Sequence, residues 1–337
     1  MKKLCLVLLF AGFIVHSSQA QGDFEDILKG SLKDANLLTE GYIGPVMRGV
    51  GAGFNHGWYN TAKPHQTLGF DLTLTATLMY LPSSDDFYTV DNNQLTQVKL
   101  VSYDGKTISP TGSGNVPTIF GPSKSPTYEF VADGTTFQGP EGQDLKETIK
   151  IADALPVPMY QLGLGLPKGF ELKVRFAPTV TLTDFKFNLL GIGIMHDIKQ
   201  YIPGIKMLPF DLSMFAAYTK VKAEQGIDAT VGQNQKGEIQ FNSTTIQALV
   251  SKKISVLTFY GGMGYDFTSS SLDLKGTYDL DDDGTAEATD PVNTDFSTSG
   301  FRATAGMRLK LAVITFHGDY TLGQYNALNV GFGINVR

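Results

Sequence analysis

Cysteine is almost missing from this chain. The single residue, Cys5, lies in a leader where Lys2 and Lys3 precede the apolar stretch Leu4 to Val15 and a small-x-small site, Ser18-Gln19-Ala20. That pattern reads as a secretory signal peptide over residues 1–20. Its removal leaves no disulfide, no thiolate metal site and no thiol nucleophile. Excess positive charge is missing too: Lys+Arg number 27 against Asp+Glu 33, and the leader takes two lysines with it. An acidic chain excludes nucleic acid as the expected partner. No later stretch has the roughly 18 consecutive apolar residues of a membrane-spanning helix, which excludes helical spans but not a β-barrel. Charged residues make up only 18%, whereas Gly (37), Phe (22) and Tyr (14) are plentiful and Trp occurs once.

Beyond the leader, Phe24, Ile27, Leu28, Leu32, Ala35 and Leu38 recur at helical spacing. Asp23 stands where an N-cap would, and Gly41 as a stop, so one amphipathic helix is expected over residues 23–39. The glycine-rich run 49–60 has no clean period and reads as irregular. Together residues 21–65 read as a plug-like segment, and a helix lying outside the barrel is the competing reading.

From residue 69 the period becomes two. Phe70, Leu72, Leu74, Ala76, Leu78 and Tyr80 alternate with polar residues, as a half-buried strand requires. The same alternation predicts strands near 160–166, 170–176, 185–194, 208–220, 244–251, 255–267, 301–309, 312–320 and 327–336. A phase slip at Leu189-Leu190 predicts a β-bulge. The odd-numbered connections are generally longer and more polar, the even ones tighter, the parity of an outer-membrane barrel. Aromatics fall at strand ends: Tyr80, Tyr218, Tyr265, Phe267, Phe301 and Tyr320 outside, Phe70, Phe170 and Phe210 inside. The expected fold is therefore all-β: a transmembrane antiparallel up-and-down barrel over residues 66–337, of ten to fourteen strands. Residues 97–103 and 127–131 would supply strands eleven and twelve. An even count puts both termini on the periplasmic side. Leu74→Arg, on the lipid face, is expected to impair assembly more than Thr75→Arg.

The run Gly57-Trp58-Tyr59-Asn60-Thr61-Ala62-Lys63-Pro64-His65, followed by Leu68-Gly69-Phe70-Asp71, resembles an uncharacterised family of Gram-negative outer-membrane proteins. Leu155-Pro156-Val157-Pro158 through Gln161-Leu162-Gly163-Leu164 and His196-Asp197-Ile198-Lys199-Gln200-Tyr201-Ile202-Pro203 carry it further. The resemblance implies an outer-membrane barrel and brings no activity. A looser architectural resemblance is to long-chain fatty-acid channels, which place an N-terminal hatch before a barrel; their Asn-Pro-Ala motif is missing here.

The inward face is expected to carry Asp71, Glu171, Lys173, Arg175, Asp211, Arg302, Arg308, His317 and Asp319, paired with one another or lining an aqueous path. Glycines 163, 165, 306, 331 and 333 on that face leave room for the N-terminal segment. Thr315, His317 and Asp319 share a face, but residues two apart on a strand stand about 6–7 Å apart, too far for a catalytic triad. His196 beside Asp197 reads as structural. Asp279, Asp281, Asp283, Thr285, Glu287 and Asp290 have the spacing of a calcium loop, with Gly284 at its sixth position, but Asp closes it instead of Glu and no helices flank it. A solvated acidic loop is the plainer alternative. Calcium is the one cofactor the sequence suggests. The expected partners are outer-membrane lipid and the outer-membrane assembly machinery. Two functions stay open: a passive channel for small solutes, hydrophobic ones included, or a non-transporting barrel displaying its loops. An enzyme is not expected.

Overall fold

The computed structural model describes residues 31–143, 154–182, 185–227, 233–279, 284–286 and 288–336. The alternating runs pair into a closed antiparallel barrel of ten strands: β1 Phe70–Tyr80, β2 Ala154–Leu166, β3 Phe170–Leu182, β4 Phe185–Asp197, β5 Asp211–Gly226, β6 Lys236–Ile254, β7 Leu257–Lys275, β8 Val292–Leu311, β9 Ile314–Leu322 and β10 Asn326–Val336. Each pairs with the next in sequence. The seam closes between β1 and β10, in register from Phe70–Val336 to Tyr80–Asn326. A register shift between Phe187 and Leu189 is the predicted bulge.

Alternation explains the wall. On β1, Asp71, Thr73, Thr75 and Thr77 are buried inside, while Leu72 and Leu74 face out at 53% and 44% exposure. The same contrast recurs around the ring, with Ile192, Ile246, Phe316 and Phe332 outward and half-exposed. Outward aromatics cluster near one end: Tyr265 meets Phe301 edge-on with centroids 4.9 Å apart, and Tyr80 lies 6.3 Å from Tyr320. That end, which also carries the connections 81–153, 227–235 and 276–291, is termed the outer mouth; the turns 167–169, 255–256 and 312–313 mark the inner mouth.

Several expectations need correction. Residues 97–103 and 127–131 add nothing to the barrel. Val98–Tyr103 and Thr127–Phe130 pair with each other in a separate four-stranded sheet, and Phe87–Asp91 pairs with Ser113–Pro117. These sheets form a dome over the outer mouth, because their apolar residues have a core of their own in Val98, Leu100, Val116 and Tyr128. Loop parity holds only in part: the third and ninth connections shrink to 183–184 and 323–325, and the even connection 198–210 is long. The strands outrun their sequence-based limits, which moves two tight turns to 255–256 and 312–313.

The helix α1 covers Leu32–Gly53. The expected N-cap Asp23 lies outside the described residues; Ser31 caps the described helix, accepting the Asp34 N–H at 3.0 Å. Gly41 is no stop. The helix runs through it and through Pro45, and a Cβ at Gly41 would meet the Tyr88 ring at 2.1 Å, so its glycine serves close packing of the dome. The supposedly irregular residues 49–53 form its last turns, and irregular chain begins only at Phe54.

Candidate functional site

The barrel interior is the site, and the chain itself fills it. Ala35 and Leu38, early in α1, pack in the dome core at the outer mouth. Met47 and Phe54 pack lower, against Met79, Leu155, Val157 and Phe241 of the wall. Tyr59 then reaches Gln247 of β6, and Ala62 reaches Ser251 near the foot of that strand. Residues 32–69 thus descend the whole lumen and join β1 at the inner mouth. The first described residue, Ser31, therefore lies at the mouth opposite Val336. The two ends of the barrel itself, Phe70 and Val336, pair at the inner mouth, as an even strand count requires; residues 1–30 lie outside the described residues.

Helix ends leave carbonyls without partners, and those at the C-terminus carry partial negative charge. Here the wall supplies the donors. Ser243 Oγ donates to the Gly51 carbonyl at 2.7 Å. Arg175 donates to the carbonyls of Phe54 (3.0 Å) and His56 (2.7 Å), and Arg302 to that of Asn55 (2.9 Å). Arg175 also lies 3.7 Å over the Trp58 ring, a contact worth about 2 kcal/mol when dry. Gln161 fastens the next turn, donating to the Trp58 carbonyl at 3.1 Å.

Space for this segment comes from glycines. Added Cβ atoms at Gly191 and Gly193 would both lie 3.1 Å from the Trp58 ring, and one at Gly262 would lie 2.4 Å from the Tyr59 hydroxyl. Of the glycines chosen from sequence, Gly165 does face the segment, at the Gln66 carbonyl. Gly163, Gly306, Gly331 and Gly333 instead admit the side chains or backbone of neighbouring strands. Sequence reasoning missed Gly191, Gly193 and Gly262, although their alternation with Ile192, Ile194 and Met263 was there to read.

Asp71, Glu171, Lys173, Arg175, Arg302, Arg308, His317 and Asp319 are all buried on the inner face. Most of their bonds are local or to the N-terminal segment. Arg302 also holds Asp266 at 3.2 Å, and Arg308 donates to Asn60 Oδ1 at 3.1 Å. Asp319 accepts from Tyr260 at 2.8 Å and from Asn329 at 2.6 Å. His317 Nε2 lies 3.4 Å from Thr75 Oγ1, while Thr315 donates to the Gly333 carbonyl; no triad forms among them. Asp211 accepts from Ser251 at 3.3 Å. At the inner mouth His65 meets Glu171 and Asp71: its backbone N–H donates to Glu171 Oε2 at 2.9 Å, and Lys173 pairs with Glu171 Oε1. Sequence reasoning missed His65, because its neighbours in space lie on β1 and β3.

Among the described residues a cavity lies at each end. The outer one, about 240 Å³, lies between α1 and the dome beside Gly41, Arg48 and Tyr88. The inner one, about 190 Å³, is lined by Lys63, His65, Lys253, Arg308 and Lys310. Trp58, Tyr59, Phe215 and Tyr260 pack together between them.

In the acidic loop, Asp281, Asp283 and Glu287 lie outside the described residues. Asp279 Oδ2 accepts the Gly284 N–H at 2.9 Å and Asp290 Oδ1 the Gly276 N–H at 2.8 Å, so each carboxylate spends one oxygen on its own loop; Thr285 lies between them. His196 bonds the Gly169 carbonyl and stacks on Phe170, a structural role.

Residues 1–336 match the family of unknown function DUF6588, and the chain belongs to it. No curated protein matches. Among solved structures, the attachment invasion locus protein Ail of Yersinia pestis is 7% identical, with 80% of this chain and 97% of that one covered and a TM-score of 0.25. The translocator domain of the autotransporter NalP from Neisseria meningitidis is 10% identical, covering 81% and 90%, with a TM-score of 0.27. The outer membrane protease OmpT from Escherichia coli is 7% identical, covering 79% and 92%, with a TM-score of 0.26.

Proposed function

For this member of the DUF6588 family we propose a sealed outer-membrane barrel that presents a folded dome at the cell surface. Its lumen is closed by its own N-terminal segment. The observation that carries this reading is that Arg175 and Arg302 bind the backbone carbonyls of residues 54–56 from opposite sides of the lumen. Backbone bonded in this way is a built-in part of the interior. The membrane location is supported by the apolar outer face and its clustered aromatics, which an aqueous setting would leave wetted. Barrels of this kind are inserted by the outer-membrane assembly machinery, the partner proposed here. No catalytic role is proposed.

A second reading is passive transport of small solutes after residues 54–65 shift. The wall favours it: Thr73, Thr75, Thr219, Thr245 and Thr304 line the inside and would be wetted readily. A double variant decides between the two. A Cβ at Gly53 would lie 3.3 Å from Val157 Cβ, close to disulfide range. Gly53→Cys with Val157→Cys therefore locks the segment when oxidised. For the sealed barrel, planar bilayers stay silent in both redox states. Conductance that appears on reduction and vanishes on oxidation would establish the channel instead.

A calcium site in the outer loop, from Asp279, Asp281, Asp283, Thr285, Glu287 and Asp290, is proposed alongside. Protease protection of that loop should rise with calcium. Equal cleavage in calcium and in chelator would remove the site.

A further inference from the structure

His65, Asp71 and Glu171 converge at the foot of the lumen from three different elements. His65 ends the N-terminal segment, Asp71 lies on β1 and Glu171 on β3. One ligand atom from each lies within 4.8 Å of the others. His65 Nδ1 is 3.0 Å from Glu171 Oε2 and 3.9 Å from Asp71 Oδ1. Despite that closeness Nδ1 makes no hydrogen bond, and neither does Asp71 Oδ1. Both belong to side chains more than nine-tenths buried. An imidazole nitrogen 3.0 and 3.9 Å from two carboxylate oxygens, with hydrogen-bond geometry to neither, has the arrangement of ligands around a cation.

The surroundings position the three ligands. Thr73 donates to Asp71 Oδ2 at 2.5 Å, which turns Oδ1 toward the cluster. Lys173 takes Glu171 Oε1, the His65 backbone N–H holds Oε2 on the cluster's side at 2.9 Å with a lone pair to spare, and the Asn335 amide meets His65 Nε2. Gly163 makes the approach of the carboxylates possible: a Cβ there would lie 2.1 Å from Asp71 Oδ1 and 3.0 Å from Glu171 Oε1. His65 also lines the inner cavity, which brings solvent to the cluster's edge.

We propose that His65 Nδ1, Asp71 Oδ1 and Glu171 Oε2 form a divalent transition-metal site, zinc foremost, that pins the end of the N-terminal segment to the wall. One imidazole with two carboxylates suits zinc and its neighbours better than calcium. Water from the inner cavity completes the coordination. Coordination at Nδ1 puts the ring proton on Nε2, and a half-turn of the Asn335 amide then presents Oδ1 to it. Lys310, which now donates to that oxygen, is left facing the open cavity. Lys173 is a competing cation, so its loss tightens the site. The site does not depend on whether the barrel conducts.

The test uses the full protein, folded in detergent, stripped with chelator and dialysed against Zn²⁺ alone. One equivalent should bind to wild type. Affinity should fall at least tenfold in His65→Ala and in Asp71→Asn, and rise in Lys173→Met. Heat-modifiable electrophoretic mobility shows that each variant is folded, and His65→Ala, altered in a loop, is the one expected to fold in any case. Co²⁺ in place of Zn²⁺ should give a visible absorption band in wild type that His65→Ala lacks. Neutralising the acidic loop (Asp279→Asn with Asp290→Asn) should leave the equivalent in place. Absence of stoichiometric zinc in wild type, or an unchanged equivalent in His65→Ala, would overturn the proposal.

Discussion

Trp58 shows how a single side chain depends on several distant ones. Its ring is 1% exposed, covered by Arg175 on one side and lodged where Gly191 and Gly193 lack side chains. Trp58→Ala should cost about 3–5 kcal/mol, the usual range for a buried aromatic, read as a lower midpoint in denaturant. Gly193→Val should produce the same defect from the wall side, because its branches would occupy the indole's space. If the midpoint of Gly193→Val equals that of wild type, the seating described here is wrong. The sequence placed Trp58 in the plug-like segment but did not mark the glycines that receive it, because a wall glycine declares its purpose only when the opposite surface is known. Outward residues behave differently. Leu74→Arg should cost roughly 2–4 kcal/mol at mid-membrane. Thr75→Arg is not the milder change that alternation alone suggests: Thr75 is 2% exposed, and a Cβ at Gly57 would lie 2.7 Å from its methyl. Both variants should fail in assembly, for opposite reasons, and yields of heat-modifiable barrel measure it.

At the scale of elements, α1 joins dome to barrel. Asp34 is fully buried and accepts N–H groups from Thr96 (2.9 Å), Gln97 (2.7 Å) and Val98 (3.1 Å). Hydrogen bonds to a charged group contribute roughly 1.5–3 kcal/mol each. Asp34→Asn should therefore make the dome sensitive to protease while the barrel keeps its heat-modifiable mobility. The dome should also weaken in alkali. Burial pushes the Tyr128 phenol above the usual tyrosine range. A group raised in the folded state gives stability that is full below its unfolded value, about 10, and is lost as pH rises toward the folded one. Protease resistance of the dome should thus hold at pH 9 and decline above about 10; a profile flat across that range would count against it. The ten barrel strands were legible because each alternates and needs only its neighbours in sequence. The dome strands alternate too, but period alone does not say which sheet a strand joins. Gly41 read as a stop because local propensity ignores what packs on a helix, here Tyr88.

For the whole molecule, the route of residues 32–69 fixes the order of events in assembly. Chain that enters at one mouth and rejoins the wall at the other cannot pass sideways through a hydrogen-bonded cylinder. Either the free end is drawn through a finished barrel, or the β1–β10 seam closes around it. The wall glycines leave no slack beyond Trp58 and Tyr59, which favours the second course. The finished object is then held like a rivet. Its head is α1 fastened to the dome at the outer mouth, where Asp34 holds Gln97 and Val98, and its foot is covalent with β1. A pull toward either mouth meets a stop, so release of the segment requires the seam itself to open.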